Sequence, residues 1–354
     1  MMQNALGITS VGVILPAGTG LAALRPAQPA SSGRVMLVLQ VPAIEGISKN
    51  DMRRMSKLTR FSLFAGRQAA KAADFSPAAA GLFVGLTHGS TSHLAEFHDY
   101  LFDYGPDKAS PNSFSNGVTN ASLSNVSAFL KLTAGGTTIL GYENNGLDVL
   151  NCCCQNLSDG EYNVCLAGSS EEYSEVVHGA YRACGWFGEK APAYLPWPRE
   201  NGEGVGIGIS EGGAFFVLEP LSRYIGRKPL CSFSPVNIEE FQGGADVVIS
   251  GAGAGMQDVH ELRLLERLGK KNAGKKPALL FSKPVFGETF GLGAMLSCLM
   301  ACDIVASSAV YPQFPVHPSL KNFYDEQQRG PAQSVLVAAA GRNGQTSAGM
   351  IYSA

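Results

Sequence analysis

Short, unbroken apolar runs alternate with segments of helical period along almost the whole chain, and this alternation leaves few folds open. The runs at residues 8–15, 81–86, 137–142, 163–168 and 213–218 are rich in Val, Ile, Leu and Phe and are bounded by Gly, Pro or polar turns. Between them, residues 52–73 place Met55, Leu58, Phe61, Leu63, Phe64 and Ala65 near a 3.6-residue period, and helices are also expected at 90–102 and 147–157. Pro111 opens a loop that leads into a further helix near 120–132. The second half repeats the style, with strands at 246–250, 278–282 and 334–340 around helices at 259–268 and 291–306. Strands read as continuous apolar runs when helices cover both faces of a sheet. The expectation is an α/β fold with a buried parallel or mixed sheet and two similar halves, 1–225 and 226–354, in one compact unit. Residues 180–206, rich in Gly, Pro and Trp, read as a surface excursion.

Composition narrows the function classes. Of 354 residues, 45% are hydrophobic and only 16% charged, enough for a large core under a sparsely charged surface. A formal net charge of −2 gives no case for nucleic acid or an anionic membrane as partner. The apolar stretch 291–310 has the length of a membrane span but carries Gly, Ser, Cys and Asp303, so it is expected as a buried core helix. Eight cysteines, three of them consecutive at 152–154, show no ligand spacing and read as reduced thiols of a cytoplasmic protein. Gly251-Ala252-Gly253-Ala254-Gly255 lacks the third glycine spacing and the distal acid of a dinucleotide fingerprint. His88, His93 and His98 are five apart, share no helix face, and default to packing or solvent.

Several segments, in order and with matching gaps, resemble the β-ketoacyl-acyl-carrier-protein synthases over nearly the full length. They are Ile8-Thr9-Ser10-Val11-Gly12-Val13 with Pro16, Arg54-Met55, Ser110-Pro111, Asn120-Ala121, Asp159-Gly160-Glu161, Leu166-Ala167-Gly168-Ser169, and Ser210-Glu211-Gly212-Gly213-Ala214. The resemblance implies a thiolase-like fold: duplicated halves in a layered α-β-α-β-α sandwich. It places Glu143 where the family has its nucleophilic Cys, ahead of a retained Gly146. Ser250, heading Gly251-Ala252-Gly253-Ala254 and followed by Asp258 and Glu261, stands at the first catalytic His. Lys283 is kept, and Glu288, after Gly287, stands at the second His. In the C-terminal glycine loop, Arg342 replaces the gating Phe. Phe114, Val118 and Thr119 fall where the family sets the depth of the acyl tunnel, beside Asn112, Asn116 and Gly117. By the same resemblance, the strand at 163–167 corresponds to the family's dimer strand.

These replacements remove the family's chemistry. Condensation needs a thiolate to carry the acyl group, and a carboxylate at 143 forms at best a mixed anhydride. The two histidines donate hydrogen bonds to the developing enolate; Ser250 offers one donor, and ionised Glu288 only accepts. Cys152 to Cys154 lie too far along the following helix to substitute. Two glutamates in one pocket repel unless a cation sits between them, and Lys283 is the expected cation, with Arg342 pairing Glu143 or Glu288. Glu143 and Glu288 alone are too few ligands for a metal, and no cofactor is implied. The resemblance therefore implies a catalytically substituted subunit akin to a chain length factor. Its partners would be an active ketosynthase, as a heterodimer, and an acyl carrier protein, in polyketide or specialised fatty-acid (polyene) synthesis. Two alternatives stay open: an enzyme using Glu143 or Glu288 for hydrolysis, dehydration or cyclisation of carrier-bound acyl groups, and a homodimeric acyl-binding protein.

Overall fold

The computed structural model describes residues 5–25, 35–73, 75–186, 208–223, 228–253, 258–272 and 276–354. The boundary drawn at 225/226 and most of the 180–206 excursion lie outside these residues, as does Ala254 of the glycine loop. Ten strands follow one another in a mixed sheet: β1 (Leu6–Leu15), β2 (Ala80–Leu86), β3 (Gly136–Leu140), β4 (Val164–Glu171), β5 (Gly212–Pro220), β6 (Cys231–Pro235), β7 (Val247–Ser250), β8 (Ala278–Phe281), β9 (Ser334–Ala340) and β10 (Thr346–Ser353). Their spatial order is β8-β7-β9-β10-β6-β1-β5-β4-β2-β3. Read outward from the centre, each set of five shows the same order and the same mixture of pairings. The outer pairs β3–β2 and β2–β4 are parallel, as are β8–β7 and β7–β9. The remaining pairs are antiparallel, and β1 joins β6 antiparallel at the middle. This repeat is the duplication expected from the sequence.

The helices that matter here are α1 (Lys57–Ala72), α2 (Thr91–Tyr104), α3 (Pro111–Gly117), α4 (Ala121–Leu130), α5 (Asn145–Ser158), α6 (Glu175–Ala183), α7 (Asp258–Lys271) and α8 (Gly291–Ser307). Side chains alternate across the strands, as the two-residue period requires. Phe83, Ala167, Phe216, Val247 and Val337 join α5 and α8 in a central core, while Leu82, Val84, Leu166 and Val217 face α1 on one outer side. Val248, Leu279 and Leu336 face α7 on the other outer side. The result is five layers, with α5 and α8 as the inner helical layer. These two helices touch closely at Gly146, where an added Cβ would lie 2.3 Å from the Met295 backbone nitrogen.

The stretch read as a core helix is α8. Its Asp303, 3% exposed, accepts Arg25 Nε at 2.8 Å and Tyr311 Oη at 2.8 Å. Burial alone would raise this carboxyl, but the bonds from Arg25, Tyr311 and Ser307 outweigh it and hold Asp303 below its ordinary range. No helix among the described residues is long and apolar enough to cross a membrane.

Three expectations are corrected and two strands are added. The segment after Pro111 is the helix α3, capped by Ser110 Oγ accepting the Ser113 N–H, rather than a loop. The helix expected over 52–73 is two: Lys49–Arg54 and α1 are separated by extended backbone at Met55 and Ser56, whose hydroxyl caps α1. Strands β6 and β10 were not foreseen. Finally, residues 163–167 cannot supply an outer edge for a dimer. Asn163 precedes β4, and residues 164–167 belong to it; β4 is buried throughout and bonded to β2 on one side and β5 on the other.

Candidate functional site

The candidate residues sit on the turns that leave the carboxyl ends of β3, β7, β8 and β9. Ligands of open α/β sheets gather at this end of the strands. Glu143 lies between β3 and α5, Ser250 ends β7, Lys283 follows β8, and Arg342 follows β9. A four-residue helix, Lys283–Phe286, ends at Gly287, whose φ of 84° lets its N–H return to the Lys283 carbonyl at 2.7 Å. That turn brings Glu288 back toward the start of the same helix. Phe290 then takes φ 48°, left-handed for a non-glycine residue and costing about 1–3 kcal/mol. Its N–H donates to Glu288 Oε1 at 2.8 Å, which holds the strained turn.

Glu143 and Glu288, which the resemblance sets at catalytic positions, each have their own cation. Lys283 Nζ lies 2.7 Å from Glu288 Oε2, with both side chains almost fully buried. The approach is close, but its angles are poor for a hydrogen bond, and neither atom has another hydrogen-bond partner among the described residues. Burial would lower Lys283; Glu288, Glu143 and Asp258 outweigh it and hold the ammonium above the usual lysine range. Glu143, 4% exposed, accepts Arg342 Nη2 at 2.5 Å through Oε1 and the Arg342 N–H at 3.0 Å through Oε2. The expectation of one shared cation, Lys283, between the two glutamates is therefore corrected. Arg342 takes Glu143 and Lys283 takes Glu288, because the turn after β9 delivers both the guanidinium and the backbone N–H of residue 342 to position 143.

Ser250 is committed elsewhere. Its hydroxyl donates to Glu261 Oε2 at 2.9 Å and accepts the Ala252 N–H at 3.1 Å. Glu261 Oε1 also accepts the Ala340 N–H at 2.8 Å. Burial pushes Glu261 up to about 7 despite these bonds. The donor that the sequence left at position 250 is thus directed inward, to a carboxylate on α7.

The surroundings of Arg342 were not legible in the sequence. Its guanidinium carbon lies 5.3 Å from the ring centre of Tyr142, 4.8 Å from Tyr181 and 5.2 Å from Trp186, a three-sided aromatic box. Its Nη1 donates to Tyr181 Oη. Burial pushes the Tyr181 phenol up to about 12 even with Arg342 alongside. His88 joins this group, its ring 4.5 Å from Phe290 and 5.5 Å from Tyr181. The other sequence candidates lie apart. Phe114, 52% exposed, packs on Phe97 of α2 at 5.3 Å. Val118 and neighbouring Asn116 line a separate surface groove of about 360 Å³ with Arg54, Asn120 and Phe129; Thr119 is exposed beside it.

This geometry can bind and neutralise, but it holds no thiolate and no imidazole at residues 143, 250 and 288. Comparison with known proteins fits the arrangement into a family. A sequence model described as "Beta-ketoacyl synthase, N-terminal domain" matches residues 37–223. No curated protein matches the chain. Among solved structures, an ishigamide ketosynthase/chain length factor is similar with a TM-score of 0.81 at 15% identity, covering 99% of each chain. A type II polyketide synthase acyl carrier protein in complex with its ketosynthase gives 0.74 at 18% identity, with 99% of each chain covered. A β-ketoacyl synthase from Burkholderia phymatum gives 0.78 at 16%, again over 99% of each chain. At these identities the likeness is one of fold, and the fold is the thiolase-like one expected from the sequence.

Proposed function

Given that this chain belongs to the β-ketoacyl synthase family, we propose that it is a catalytically silent subunit of the chain-length-factor type, paired with an active ketosynthase. The observation that carries this reading is the full commitment of the three catalytic positions. Glu143 is held by Arg342, Ser250 by Glu261 and Glu288 by Lys283. Nothing at those positions can form a thioester or donate to an enolate, whereas the scaffold that carries a partner surface is kept. The process served is polyketide or specialised fatty-acid extension on an acyl carrier protein.

The partner is proposed to join at β3. This strand ends the sheet, and no strand among the described residues pairs with its outer side. The opposite edge, β8, is bridged at Ala278 to Asp325. Leu140 is 58% exposed at the end of β3, and Phe102 and Tyr104 of α2 are 81% and 65% exposed. An uncovered edge strand is a pairing surface, and exposed aromatics such as those of α2 are apolar area left for a partner. Phe114, Val118 and Thr119 remain the residues proposed to limit the partner's acyl tunnel. Size-exclusion chromatography with mass determination, after co-expression with a ketosynthase encoded beside it, tests the reading. A one-to-one complex supports it; a homodimer that ignores the ketosynthase overturns it.

A further inference from the structure

The charged pair at Glu143 continues outward through groups that the family resemblance does not assign. We infer that His88 and Glu171, acting through Tyr181, position Arg342 over Glu143 and keep this pocket shut. The inference rests on the reading of the pocket as a silent one and names what maintains it.

The chain of contacts fixes the protons. Glu171, 1% exposed at the end of β4, accepts the backbone N–H groups of Thr87 and His88. These bonds pin the turn after β2, and with it the imidazole. His88 Nδ1 lies 3.7 Å from Glu171 Oε2, and His88 Nε2 lies 3.0 Å from Tyr181 Oη. Arg342 can only donate, so the phenol oxygen accepts from Nη1 and its own proton is available to His88 Nε2. Nε2 is then the bare nitrogen, and the Nδ1 proton faces the Glu171 carboxylate. A carboxylate beside Nδ1 favours that tautomer by its charge, at 3.7 Å and without a hydrogen bond, and the imidazole in turn orients a hydroxyl. Here the hydroxyl orients a guanidinium. Phe290 packs against both the His88 ring and, at 4.9 Å, the Tyr181 ring, so the two cannot turn independently. The phenol, pushed up further by burial, is protonated at neutral pH and able to donate. His88, Glu171 and Tyr181 are positioning residues in this account; none is required to touch substrate.

The test is the rate at which phenylglyoxal modifies Arg342, read by peptide mass spectrometry on the folded chain. Circular dichroism and Tm are recorded on every variant. Wild-type Arg342 should be protected. Tyr181→Phe, which keeps the ring and removes the hydroxyl, should raise the rate at least about tenfold, the factor expected for losing one charge-assisted hydrogen bond. His88→Leu should do the same. His88→Gln, whose amide oxygen can accept the phenol proton, should restore protection, which a role in packing alone would not. Wild-type rates in folded Tyr181→Phe and His88→Leu would show that Glu143 and the aromatic box hold Arg342 unaided and overturn the inference. Equal rates in His88→Gln and His88→Leu would also overturn it. If His88→Leu fails to fold, the isosteric Tyr181→Phe decides. No ketosynthase enters the assay, so its failure and the failure of the functional reading are separable.

Discussion

Replacing Lys283 with Met should destabilise the chain by about 3–5 kcal/mol, the typical cost of stranding one member of a buried ion pair. Methionine roughly keeps the lysine stem and its packing, so the loss reports charge rather than volume. The upper part of the range is expected because Lys283 and Glu288 side chains are 4% and 1% exposed, and the ammonium also faces Glu143 and Asp258. Unfolding entropy of roughly 2.1 cal/mol/K per residue over 354 residues is roughly 0.7 kcal/mol/K, so Tm should fall by about 4–7 °C. Adding Glu288→Gln, which keeps the acceptor for the Phe290 N–H, should recover most of the loss. The sign with pH follows from the direction of the shift. The lysine is held above its ordinary value, so the stabilisation is present at neutral pH and is lost only as pH rises through the raised value. Differential scanning calorimetry of wild type, both single variants and the double variant closes the cycle. A Lys283→Met chain within about 1 °C of wild type, or a double variant no better than the single, would refute the pairing as an energetic unit.

Three further outcomes follow from the same geometry. Glu261 sits near 7 against an ordinary 4.5, so the folded chain keeps a proton that the unfolded chain releases; stability should fall by about 3 kcal/mol between those pH values and level off above, a component absent in Glu261→Gln by pH-dependent urea melts. Gly146→Ala should cost at least about 2 kcal/mol and lower the urea midpoint, because its Cβ meets backbone of α8 at 2.3 Å with no flexible neighbour to yield. Leu140→Asp should leave Tm within about 2 °C, since this side chain is 58% exposed, yet weaken capture by a ketosynthase at least tenfold in pull-down titrations.

The sequence carried the layered fold because its strands are unbroken apolar runs, and Phe83, Ala167 and Val247 need helices on their far side. It carried the positions of Glu143, Ser250 and Glu288 because glycines and Lys283 frame them. It did not carry β6, Cys231–Pro235, where only Cys231 and Phe233 mark a two-residue alternation in five residues. The edge strand was misplaced for a related reason: β4 and β3 are both short apolar runs, and only the hydrogen-bonded neighbours tell an inner strand from an outer one. At the site, the pairing of cations with carboxylates depended on turn geometry after β8 and β9. Tyr142, Tyr181 and Trp186 are distant in sequence from Arg342, and no spacing rule connects them. The one local hint was Glu171-Glu172 at the end of a run that begins apolar, a placement of charge that burial makes costly unless partners await it.

The central claim is silence at position 143 within a working pair. A ketosynthase co-purified with this chain should be assayed for condensation on an acyl carrier protein, with wild type, with Glu143→Gln, and without the chain. The account predicts condensation that requires the chain and is unchanged by Glu143→Gln. Acyl-thioester turnover by this chain alone, abolished by Glu143→Gln, would contradict it.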